Sequence, residues 1–159
     1  MTGFVSSPAA AAAGPDEPVL EHDGAFFPGI KASAVRELVR VPTQVTEPRL
    51  IDAIFSAMLT IGAELEAFAA EQIALGKATL ADVSAVQLGG EPRLVRLYHR
   101  ALASFAAAEL VDTHHEISAT ADGRGRAEER ALTADEHRRN GTHAIRDILG
   151  ATRTAVELI

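Results

Sequence analysis

Residues 46–76 read TEPRLIDAIFSAMLTIGAELEAFAAEQIALG. Thr46 can cap a helix, Pro48 falls in the first turn, and Gly76 supplies the stop. Between them Leu50, Ile54, Met58, Ile61, Leu65 and Phe68 recur at spacings of 4, 4, 3, 4 and 3. That period lines them up along one side of a helix, with Asp52, Glu64, Glu66 and Glu71 off the line. The spacing predicts a long amphipathic helix over 46–75.

Toward the C-terminus, residues 76–90 read as a connection in which Leu80, Val83, Val86 and Leu88 pack down as a lid. Pro92 opens a second helix expected over 92–114, with Leu94, Tyr98, Ala101, Phe105 and Ala108 on its apolar side. Arg93, Arg96 and Arg100 form a separate basic stripe on the same helix. Residues 120–129, with Gly123 and Gly125 among charges, read as a mobile loop. Thr133 followed by Glu136 is a capping-box signature, predicting a last helix over 133–149 that stops at Gly150. Asn140 and Gly141 are poor helix formers, and local weakness is expected there.

Toward the N-terminus, a short helix is expected over 32–40, before Val41 and Pro42. Residues 19–28 place Phe26 and Phe27 beside Pro28, which favours extended backbone, so they read as a strap docking two rings on the core. Residues 1–18 are rich in Ala, Ser, Gly and Pro without a periodic apolar side. The expected organisation is a flexible arm over 1–25, a helical domain over 26–150 and an extended tail over 151–159. Within that tail Arg153, Thr154, Ala155, Val156, Glu157, Leu158 and Ile159 alternate, and no neighbouring segment reads as a partner strand. An apolar extended end of this kind is expected to pair with another chain.

Composition agrees with a mainly α fold, a small helical bundle. The 159 residues suit one compact domain, and 31 alanines beside 4% aromatics favour helix over sheet. No stretch approaches the roughly 20 consecutive apolar residues of a membrane span. The alanine run near the start has no Lys or Arg before it and does not read as a secretory signal. The absence of cysteine excludes disulfides and thiolate metal sites and fits a reducing cytoplasm. A net charge of −7 argues against general nucleic-acid wrapping. Residues 16–23 and 46–75 each carry −4, so the charge sits on the strap and the long helix and suits a lumen or an arginine-striped neighbour.

Chemistry-bearing motifs are scarce. Asp112, His114, His115 and Glu116 invite a metal, yet no His-Glu-x-x-His pattern or distant ligand group accompanies them, and a solvated helix end explains them as well. Gly123-Arg124-Gly125-Arg126 lacks the Gly-Lys-Ser/Thr ending of a phosphate loop, and there is no Gly-x-Ser-x-Gly elbow. An enzyme therefore has little support, and no cofactor is implied. The arginine stripe is better placed to meet an acidic surface on the same or a neighbouring subunit, and Phe26 and Phe27 are further candidate subunit contacts.

The order of segments resembles the head completion proteins of P2-like tailed bacteriophages. Asp16-Glu17-Pro18-Val19, Phe26-Phe27-Pro28, the 49–66 stretch and Thr79-Leu80-Ala81-Asp82-Val83 carry the resemblance. So do Gly90-Glu91, Tyr98-His99-Arg100-Ala101, Ala107-Ala108-Glu109-Leu110, residues 144–150 and the ending 154–159. Their colinearity spans residues 16–159. The sequence departs from that family at 112–116, where relatives carry a basic, tyrosine-containing helix end. It departs again at Gly141 and His143, where they carry alanine and tryptophan.

The resemblance implies a non-enzymatic virion protein at the neck, assembled in the host cytoplasm. It would form a homo-oligomeric, twelvefold ring beneath the portal protein after DNA packaging, closing the head and meeting other neck and tail completion proteins. DNA would pass its lumen without sequence-specific binding, and no membrane is implied. The competing readings are a generic helical regulatory or scaffolding module and a small metal-dependent enzyme using His114 and His115.

Overall fold

The structure, a computed structural model, describes residues 17–22, 24–41, 44–115 and 132–151. Among them are four α-helices: α1 (Ala32–Leu38), α2 (Glu47–Ala74), α3 (Arg93–His115) and α4 (Ala134–Ile148). A 3-10 turn at Leu80–Asp82 and a tight hairpin of β1 (Gln87–Leu88) with β2 (Glu91–Pro92) join α2 to α3. The mainly α bundle expected from the sequence is the fold observed.

Each long helix begins and ends where local chemistry requires. α2 follows Thr46, whose extended backbone starts the helix although its side chain makes no capping bond. At the other end Gly76 takes φ +83°, where only glycine avoids a Cβ clash. There the Lys77 N–H reaches the Gln72 carbonyl at 3.0 Å and the Gly76 N–H reaches Ile73 at 2.9 Å, satisfying two end carbonyls. α4 opens on the predicted capping box. The Glu136 N–H donates to Thr133 Oγ1 at 3.2 Å, and the Thr133 N–H donates to Glu136 Oε2 at 2.8 Å.

The core is the inward side of α2 laid on α3. Leu50, Ile54, Met58, Ile61 and Leu65 are all at most 2% exposed, as their spacing requires. Fully burying a side chain of this size contributes about 1.5–3 kcal/mol, so this line is a large part of the favourable burial. α3 runs between α2 and α4 and packs on both. Its alanines at 101, 103, 106, 107 and 108 are buried and keep the helix thin enough for close packing on two sides.

Gly141 serves that close approach. It is buried, and a Cβ built there would lie 2.7 Å from Cε2 of Phe105. α4 runs unbroken through Asn140 and Gly141. The expected weak point is corrected accordingly: tertiary contact with α3 overrides poor intrinsic propensity.

The strap packs as predicted and begins early. Leu20 and Ile30 exchange backbone hydrogen bonds of 2.8 and 2.9 Å, and Leu20 is buried. Ser33 donates to the Glu17 carboxylate from its backbone N–H at 2.8 Å and from Oγ at 2.5 Å, holding that carboxyl below its ordinary range. Packed residues therefore lie within the span read as the 1–25 arm. The Phe26 carbonyl accepts from the Leu80 N–H at 2.8 Å, tying the strap to the 3-10 turn.

The lid expected from 76–90 forms only in its first half. Leu80 is fully buried and Val83 packs on the core, whereas Val86 and Leu88 are about half exposed because the hairpin turns them outward. The expectation about membrane length also changes. By length and composition α2 is apolar enough to cross a bilayer, with an 18-residue window of mean hydropathy 1.4. One side of it is the bundle core, and Phe55, Leu59 and Ile73 are exposed on the outside.

Candidate functional site

The Phe-Phe strap anchors inside its own chain. Phe26 is 6% exposed and meets Phe27 edge-on at 5.2 Å between ring centres; Phe27 in turn stacks on Tyr98 at 5.2 Å and 9°. A ring already buried in the monomer has little surface to offer a neighbour. For Phe26 the candidate subunit contact is thus replaced by the anchoring role. Tyr98 is fully buried, its hydroxyl has no hydrogen-bond partner among the described residues, and burial pushes its pKa up to about 12. His99 ties the strap to the hairpin: Nε2 donates to the Gly29 carbonyl at 3.2 Å, and Nδ1 lies 3.3 Å from Glu91 Oε1.

The structure gathers Arg93, Arg96 and Arg100 along one wall of a cleft of about 470 Å³. Their spacing of 3 and 4 residues on α3 makes this inevitable. Leu38 at the end of α1, Leu88 of the hairpin and Leu132 before α4 also line the cleft, each 46–53% exposed. His137 and Asn140 of α4 close it; His137 is 8% exposed, and burial holds its imidazole below the ordinary value. Arg96 pairs with Glu91 at 3.2 Å, while Arg93 and Arg100 have no acidic partner among the described residues. An apolar rim around cations suits an acidic, partly apolar surface.

The sequence read the stripe but not the cleft, because Leu38, Leu88 and Leu132 come from three separate segments. At the far end of α3, Asp112 pairs with Arg138, which also holds Asp135 at 3.0 Å. That ion pair joins the divergent helix end to α4. Among the described residues no group of three or more His, Asp or Glu could hold a metal. The side chains of His114 and His115, the loop 120–129, the residues before 17 and the whole tail Arg153–Ile159 lie outside the described residues.

The family described as phage head completion protein (GPL) matches residues 22–159. The chain belongs to the phage head completion protein family. A relative from Escherichia phage P2, a head completion/stabilization protein, is 37% identical over 144 residues, covering 91% of this chain and 85% of the relative. No solved structure matches. The matched residues 22–159 include Phe26, Phe27, the arginine stripe and segment 153–159.

Proposed function

We propose that this head completion protein is a head-tail connector adaptor that forms a ring, twelvefold in symmetry, beneath the portal once DNA is packaged. It closes the filled head and presents a surface for tail completion proteins. The observation that carries this reading is the family match over residues 22–159 on a mainly helical chain. The protein acts by binding rather than by catalysis and needs no cofactor.

The charge distribution supports the same reading. α2 and the strap carry the acidic excess, and a negative lumen lets DNA slide without the counterion release that makes basic surfaces adhere. The tail Arg153–Ile159 docks on the portal as an added strand, where main-chain hydrogen bonds supply affinity.

The test is reconstitution. Filled heads made without this chain are expected to lose DNA and to reject tails, and adding the purified chain restores both properties. Deleting residues 153–159 is expected to leave the helical melt intact while abolishing co-sedimentation with filled heads. Normal co-sedimentation of the truncated chain would overturn tail docking, and stable, tail-competent heads without the chain would overturn the function itself.

A further inference from the structure

Two surfaces in this molecule are chemically complementary and lie on different elements. The first is the outer side of α2, where Asp52, Phe55, Leu59, Glu66 and Ile73 follow one another at helical spacing. All five are exposed, with Phe55 at 42%, Leu59 at 73% and Ile73 at 54%. It is an apolar strip punctuated by two acids. The second is the cleft on α3, an apolar rim around three arginines of which two lack an acidic partner among the described residues. No residue of α2 lines that cleft.

We propose that the cleft of one copy receives the outer side of α2 from a second copy, giving a head-to-tail contact. The proposal rests on the ring reading above and names the faces that make the ring. Charge complementarity selects the occupant: the strip holds Asp52 and Glu66, and the α3 stripe carries three cations. Because donor and acceptor faces differ, every copy can give one and receive one. A heterologous contact of this type closes into a ring when its rotation allows. The apolar strip on α2 would otherwise invite lipid, but Asp52 and Glu66 within it oppose insertion.

The cysteine-free chain makes the test direct. Full-length Leu59→Cys and Leu88→Cys chains are mixed, assembled on filled heads and oxidised mildly. The mixture is expected to give a disulfide-linked dimer that neither variant gives by itself, and the chain carrying both substitutions is expected to give a ladder. Arg96→Glu with Arg100→Glu should remove most of that product, and adding Asp52→Arg with Glu66→Arg should recover it. Efficient dimerisation of Leu59→Cys by itself would overturn the proposal in favour of a symmetric α2 contact. Flotation of the chain with lipid vesicles would overturn it in favour of a membrane surface. Copy number per head separates the two readings: many copies without the mixed cross-link refutes these faces and leaves the ring standing, whereas one copy per head refutes both.

Discussion

The contact between Gly141 and Phe105 permits a quantitative test of how α3 and α4 pack. A Cβ at position 141 would lie 2.7, 2.8 and 3.1 Å from three ring atoms of Phe105. In an open helix Gly→Ala stabilises by about 0.8–1.0 kcal/mol. Here the ring must move, and overpacking of this kind costs about 1–3 kcal/mol. The net expectation for Gly141→Ala is a loss of about 0–2 kcal/mol. For a chain of 159 residues that is a fall in Tm of up to about 8 °C. In a Phe105→Leu background the obstructing ring is gone, and the same substitution should raise stability by about 1 kcal/mol. Urea unfolding followed by circular dichroism at all four corners of the cycle gives the coupling, expected at about 1–3 kcal/mol. Equal stabilisation by Gly141→Ala in both backgrounds would show that the helices do not approach this closely.

Other consequences are simpler to check. Tyr98→Phe removes a buried hydroxyl that has no partner among the described residues and keeps the stack on Phe27, so it should leave stability unchanged or raise it by about 1 kcal/mol in thermal melts. A clear loss would reveal a hydrogen bond to that hydroxyl. Ile61→Asp puts an unpaired charge at a fully buried position and should abolish the cooperative transition, a cost of roughly 4 kcal/mol or more. An unchanged melt would mean that α2 faces the other way. Burial lowers the His137 pKa, so the unfolded chain takes up this proton first. Stability from this group is present above the unfolded value near 6.5 and is lost as pH falls through the folded one. His137→Asn should therefore reduce the loss of Tm between about pH 7.5 and pH 5.5. An identical slope in both proteins would refute it.

What the sequence revealed follows the physics of each feature. α2, the capping box at Thr133 and the stop at Gly76 were legible because periodicity and caps are local. The arginine stripe was legible for the same reason. The cleft was not, since Leu38, Leu88 and Leu132 converge only through tertiary packing. Gly141 reads as a defect from propensity and becomes a contact only when Phe105 is opposite it. Val86 and Leu88 carry the apolar character of a lid, but the intervening hairpin turns them to solvent. The exposed strip on α2 is masked by the stronger buried line beside it, because Phe55, Leu59 and Ile73 are as apolar as the residues that face the core.

Cryo-microscopy of the intact particle's neck is the decisive experiment for the proposed ring under the portal. The expected image is a closed ring of helical subunits directly beneath the portal, with residues 153–159 of each copy lying against it. A neck without this chain, or the chain found elsewhere in the capsid, would contradict it.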